Sequence, residues 1–272
     1  MSFEEFCLKR YKVVTEQFES SIEYAFKKTY MDVTPKPQMT EVEAVIMGLA
    51  QNINGLNYSI IKLIETDNHY ALDSALRSLF ENYVSLRFIL EDQTVFRAKR
   101  YLYSKKNSEY EIGEKLLQTN RRGRELRKFI GMSEEQVNEK LISKLKVYDI
   151  DHIRQMMLGE LEFKRLSEKW YNVLSNKKLK TFYALCEYMK FQDEYELIYN
   201  ILSKEAHAMD AFKSFEIEDS LLSFHKLKKP HIMHTNFGTR MNIEVLKDLM
   251  KYFKCKEKER EVLAFLNLKK LL

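Results

Sequence analysis

Glycine and proline, the strongest punctuators of a chain, are scarce here: seven of the first and three of the second in 272 residues. Such a chain has few places to turn sharply, so it is committed to long regular elements. The dominance of Leu, Lys, Glu and Tyr makes those elements helices. With 45% hydrophobic and 12% aromatic residues, it can bury a sizeable core as one large domain or two small ones. The expected fold class is all-α, a multi-helix bundle.

Charge narrows the function little. The 45 basic residues are nearly matched by 40 acidic ones, and the net charge of +5 permits contact with nucleic acid without requiring it. Cys7, Cys186 and Cys255 are odd in number and far apart, giving neither a disulfide framework nor a zinc spacing, which fits a reducing compartment. The opening MSFEEFCLKRYK lacks the apolar core of a signal peptide, and no apolar run approaches the roughly 18 residues of a membrane span. A cytoplasmic protein with no membrane partner is expected.

In chain order, Phe3, Phe6, Tyr11, Val14, Phe18, Ile22 and Phe26 recur at helical spacing, predicting a helix over residues 3–29 that VTPKPQ then stops. Thr40 and Glu43 have capping-box spacing, so a second helix should run to about Ile64. Its middle is unusually polar (Asn52, Asn54, Asn57), and Gly55 implies close approach by a neighbouring helix. A third helix, residues 69–91, has the widest apolar face and carries a polar stripe of Asp73, Arg77, Glu81 and Ser85 on its other side.

Thr94 is expected to cap a helix to Tyr103, with further helices near 109–130 and 134–146. Ser133 with Gln136 makes a capping box for the last of these. After Trp170, Ser175 or Asn176 should cap a helix through about Met189. Asp193 with Glu196 should open the next, Tyr195 to Ala208, with Glu196, Asn200, Ser203 and His207 along one side. Residues 209–240 read as irregular or partly helical connection, and Asn242 opens a final helix or helix pair. The domains expected are 1–38, an N-terminal helix and linker; 39–210, a helical core with a charged helical insertion near 104–160; and 211–272, connection and C-terminal helices.

Candidate chemistry lies in four places. His207 with Ser203 one turn earlier suits general acid-base work, or a core histidine with a back-bonded serine. Arg77 and Glu81 make either a phosphate-gripping fork or an ordinary surface ion pair. Arg121, Arg122, Arg124, Arg127 and Lys128 could track a nucleic-acid backbone, with Tyr101, Tyr103 and Tyr110 stacking on bases. A solvated helix face reads the same way. His225, His231 and His234 cluster near Asp219, but without a cysteine pair or His-x-x-x-His spacing no metal and no other cofactor is expected. Phosphate loops, nucleophile elbows, kinase signatures and paired CxxC motifs are missing from the sequence.

The succession ALRSLFENYVSLRFIL, WYNVLSNKKLKTFYALCEYMKF and YELIYNILSKEAHA resembles the bacterial domain-of-unknown-function family 5677 over roughly residues 45 to 210, with Arg77, Glu81, Ser203 and His207 at the matching positions. The closing helix also resembles the Arg-x4-6-His motif of the HEPN superfamily, whose members include metal-independent ribonucleases of toxin and antiviral systems. Where that motif has arginine this chain has Asn200. Arg77 from the third helix is the guanidinium expected to stand in, if the two polar stripes face each other. The resemblance implies a HEPN-like core and an RNA-cleaving effector of bacterial defence. It also implies a homodimer and a partner protein in a defence or toxin–antitoxin system. The alternative is a non-catalytic helical module that binds nucleic acid or a protein.

Overall fold

Helix α1, Phe3–Phe26, begins at a reciprocal cap: the Ser2 hydroxyl accepts from the Glu5 N–H at 3.1 Å and the Glu5 carboxylate accepts from the Ser2 N–H at 2.6 Å. Helix α2, Glu41–Glu65, opens on the same device at Thr40 and Glu43, as their spacing predicts. Helix α3 is Leu72–Glu91. The computed structural model describes residues 1–35, 37–139, 149–173, 178–201, 215–218, 221–224 and 230–271. They divide into two compact units, Met1–Asp92 with Cys186–Leu272, and Gln93–Leu185. The charged stretch 104–160 falls inside the second.

The first unit is built on α1, α2, α3 and α10, Ile232–Tyr252. Helix α1 lies against α10, α2 against α3, and α10 also against α3. Apolar faces at helical spacing meet between them: Phe18 and Ile22, Ile46 and Ile53, Leu76 and Phe80, and Val245 are all sealed from solvent. Helix α11, Lys256–Leu268, covers α1 and α10. All three cysteines are buried and unpaired.

Asn242 does not open a helix. It lies in the middle of α10, ten residues past its start, because a partner far away in sequence satisfies it. The Tyr11 hydroxyl donates to Asn57 Oδ1 at 2.5 Å, Asn57 Nδ2 donates to Asn242 Oδ1 at 2.6 Å, and Asn242 Nδ2 donates to Thr15 Oγ1 at 3.2 Å. Asn57, in the polar middle of α2, thus belongs to a buried network joining α1, α2 and α10. The close approach expected at Gly55 is elsewhere. A Cβ at Gly55 would meet nothing within 4 Å, whereas one at Gly238 would stand 2.4 Å from the Tyr11 ring. Gly55→Ala is therefore expected to stabilise the chain by about 1 kcal/mol. Gly238→Ala should destabilise it by about 1–3 kcal/mol, because the ring is fully enclosed and cannot step aside. Paired thermal melts read the opposite signs.

The second unit starts with α4, Thr94–Leu117. Thr94 is its first residue rather than its cap: Gln93, at φ 47°, makes the turn. Helix α4 runs well past Tyr103 to 117, and α5, Arg121–Phe129, follows after a break. Helix α6, Glu134–Val137, has the capping box expected of Ser133 and Gln136. The rest of the helix expected to 146 falls mostly on residues 140–148, outside the described residues. Helix α7, Ile150–Leu158, packs on α4 through Tyr103, Ile153 and Met157, and Leu161 and Phe163 complete that core. Trp170 stands edge-on to Tyr101 and Tyr171. Ser175 and Asn176 lie outside the described residues. Helix α8, Phe182–Tyr188, leads back into the first unit.

Residues 209–240 are partly helical, as expected, since α10 begins at Ile232. Strands β1, Phe215–Glu218, and β2, Leu221–Phe224, form an antiparallel ladder with Phe215 opposite Phe224. Elsewhere the described chain is helical or connecting, so the fold is a helical bundle.

Candidate functional site

The polar stripe of α3 does not act as one surface. Asp73, at its start, is buried and meets His234 of α10, with Oδ1 and Nε2 2.8 Å apart and both side chains almost sealed. His231 contacts Glu4 of α1 through Nδ1 at 3.2 Å, and its backbone N–H donates to the same carboxylate at 2.8 Å. Burial pushes the His231 ring below its ordinary range. These histidines tie the start of α10 to α1 and α3. His225 and Asp219 lie outside the described residues. Among those described, no group of three His, Cys, Asp or Glu side chains is placed to hold a metal ion.

Arg77 and Glu81 form the expected pair, with Nε and Oε1 3.3 Å apart. The guanidinium continues beyond it: Nη2 donates to the Tyr199 hydroxyl at 2.7 Å and Cζ lies 4.0 Å from the Tyr199 ring centroid. Tyr199 belongs to the segment that carries His207 in the sequence. That segment opens differently from its sequence pattern. Phe191 precedes α9, Gln192–Glu194, with no side-chain cap, and Tyr195–Ile201 winds as a π-helix. The wider i→i+5 winding changes which side chains share a face, so a stripe drawn for 3.6 residues per turn does not carry through it. Tyr195 and Tyr199 stack at 4.8 Å between centroids. Ser203 and His207 lie outside the described residues, so only Arg77 and Glu81 of the four expected catalytic positions have a described setting. Ser85 hydrogen-bonds the Glu81 carbonyl at 2.7 Å, one turn back in its own helix.

Two turns further along α3, a cleft of about 770 Å³ opens between α3, residues 188–191 and α10. Arg87 forms its wall. Its Nη1 lies 2.5 Å from Glu244 Oε2 and its Nε 2.6 Å from Asp248 Oδ2. Arg240 holds the other oxygen of Glu244 at 3.0 Å and reaches Glu194 at 2.9 Å. The buried Tyr83 hydroxyl donates to Glu244 as well. Burial would raise the Glu244 carboxyl, but the hydrogen bonds from Tyr83 and Arg240 and the charge of Arg87 hold it below its ordinary range. Asp248, one turn on, is pushed up by burial despite Arg87. Two carboxylates on one helix are thus held at different proton affinities beside a guanidinium, an arrangement that suits a cleft for a polar ligand.

Sequence reasoning misses these cleft residues, although Arg240, Glu244 and Asp248 repeat the four-residue step that singles out Arg77 and Glu81. The signal is hidden because the expected final helix begins only at Asn242, which leaves Arg240 outside it.

The basic run on α5 splits in two. Arg127 is buried, and its guanidinium donates to the carbonyls of Leu116 at 2.6 Å and Gln118 at 3.0 Å and to Glu134 at 2.9 Å. It caps the end of α4 and has no face left for phosphate. Arg121, Arg122, Arg124 and Lys128 are exposed, with Arg121 on Glu125 at 2.8 Å and Arg124 on the Thr119 carbonyl at 2.7 Å. The tyrosines expected to stack on bases are packed instead: Tyr103 is buried, Tyr101 meets Trp170, and Tyr110 lies under Arg154. No helix among the described residues is long and apolar enough to cross a membrane.

Comparison with curated proteins and with solved structures finds no match for the chain. Residues 43–220, well over half of the chain, match a family of unknown function, DUF5677. That span runs from the capped start of α2, through the Arg77–Glu81 pair and the whole second unit, to the first strand of the hairpin, and by it the chain belongs to DUF5677.

Proposed function

We propose that this chain is a HEPN-like, metal-independent ribonuclease, an effector of a bacterial antiviral defence or toxin system that works as a homodimer. The observation that carries the reading is the bond from Arg77 to Tyr199. It joins Arg77 of α3 to Tyr199, four residues before Ser203 in the sequence. In this mechanism His207 takes the proton from a ribose 2′-hydroxyl or returns one to the leaving oxygen. Arg77 holds the scissile phosphate, and Glu81 and Ser203 position the two. Arg77 is suited to its role because Glu81 fixes one edge of the guanidinium while about a quarter of the side chain stays open to solvent.

The test is cleavage of total RNA by the full chain in the presence of a chelator. The parent should cut, and His207→Ala should lose about 10²–10⁴-fold in rate, with Arg77→Ala falling in the same direction. Equal cutting by parent and His207→Ala, or none by the parent, overturns the proposal. A second reading, a non-catalytic module that binds nucleic acid or a partner protein, is favoured by the way Arg77 is already occupied by Glu81 and Tyr199. It predicts RNA or protein capture without cleavage, and a lower melting temperature for Arg77→Ala.

A further inference from the structure

Beneath the segment that follows α7, Arg100 of α4 is almost wholly buried. Its guanidinium lies 3.7 Å from the Phe163 ring centroid. It donates to the carbonyls of Trp170 at 2.9 Å, Asn172 at 3.4 Å and Leu161, and faces Glu168 at 3.7 Å. These bonds hold residues 161–172 over α4 and shape a cleft of about 490 Å³.

The rim of that cleft carries Lys164, Arg165, Lys169, Lys178 and Lys180, all exposed. None of the five makes an ion pair among the described residues, unlike the exposed Lys62 with Glu65 and Arg121 with Glu125. One of the two carboxylates in the lining is engaged below. Glu168 takes the Lys164 backbone N–H at 2.7 Å and the Asn172 side chain at 2.6 Å, besides facing Arg100. Glu162 is the one other carboxylate in the lining. Like charges gathered around a concavity repel one another and raise its potential, a cost recovered when anions enter.

We infer that this cleft of the second unit binds a ligand with several closely spaced phosphates, either the backbone of a single-stranded nucleic acid or a free polyphosphate chain. Ammonium groups on flexible stems can follow irregularly placed phosphate oxygens, which a flexible strand presents. The run on α5 is the poorer candidate, because Arg127 is turned inward and Arg121 is paired. The inference does not depend on whether the chain cuts RNA.

The test uses the full-length chain and reads binding alone. One arm is fluorescence anisotropy with a labelled single-stranded oligodeoxyribonucleotide, which has no 2′-hydroxyl to act as nucleophile; the other is calorimetric titration with inorganic tripolyphosphate. The variant K164Q/K169Q/K178Q/K180Q should weaken whichever ligand binds by at least about tenfold. It should also flatten the oligonucleotide's log–log salt dependence by about 0.7 for each phosphate that no longer meets a lysine. R121Q/R122Q/K128Q should bind as the parent does. All the exchanged side chains are exposed, so both variants should melt with the parent; if the fourfold variant does not, K164Q/K169Q and K178Q/K180Q divide the same question. Binding of one ligand and not the other supports the inference and identifies the source of the phosphates. Absence of binding to both, equal binding by the parent and the cleft variants, or loss confined to the α5 variant overturns the inference.

Discussion

Arg100→Ala should destabilise the chain by about 3–5 kcal/mol, the range for removing one partner from a buried charged pair. The side chain is 1% exposed, so water does not replace the missing bonds. The carbonyls of Leu161, Trp170 and Asn172 give up their donor, Glu168 loses its countercharge, and the Phe163 ring loses the cation stacked on it. Burial already pulls the guanidinium below its ordinary range, with Glu168 and Glu162 opposing that pull. Trp170, the single tryptophan of the chain, sits beside this guanidinium and reports the second unit directly. Urea denaturation followed by its fluorescence should show the transition moved to lower urea. Arg100→Lys should recover part of the stability, because it restores charge without the fork that spans three carbonyls. A destabilisation below about 1 kcal/mol for Arg100→Ala would mean that the segment is held by its apolar packing instead.

Asn57→Ala should cost about 2–6 kcal/mol, the sum of two enclosed orphans at about 1–3 kcal/mol each. Tyr11 and Asn242 are both fully buried, and each loses its partner in Asn57. Burial holds the Tyr11 hydroxyl far above its ordinary range, so it remains a proton donor with nowhere to donate. Adding Tyr11→Phe removes one orphan, and the double variant should be less destabilised than the two single costs added together. Circular dichroism melts of the parent, the two single variants and the double variant measure this. Simple additivity would show that the Tyr11–Asn57 bond carries no coupling.

Both effects rest on partners far apart in sequence, and there sequence reading reaches its limit. The helices over 3–26, 41–65 and 72–91 are legible because apolar spacing and capping residues are local properties. Arg77 and Glu81 are legible as a pair for the same reason, and Asn57 is visible as a polar residue in an apolar helix. What Asn57 bonds to is not visible, because Tyr11 and Asn242 stand 46 and 185 residues away. The start of α10 is misplaced in the sequence pattern because an asparagine serves equally as a helix cap or as a member of a buried network, and only its surroundings decide. The inward turn of Arg127 and the splitting of the α3 stripe are hidden likewise.

The sequence by itself determined a chain of long helices with few breaks, their apolar faces, and the four-residue pairs along them. Each of these follows from steric and hydrophobic preferences acting over one or two turns. Only the tertiary structure decided that Asp73 faces His234, that Arg87 joins Glu244 and Asp248 in a cleft, that Arg77 meets Tyr199, and that five lysine and arginine side chains ring an opening with no ion-pair partner among the described residues. A charged side chain's role depends on which neighbours desolvate or neutralise it, and those neighbours are assigned when the helices pack.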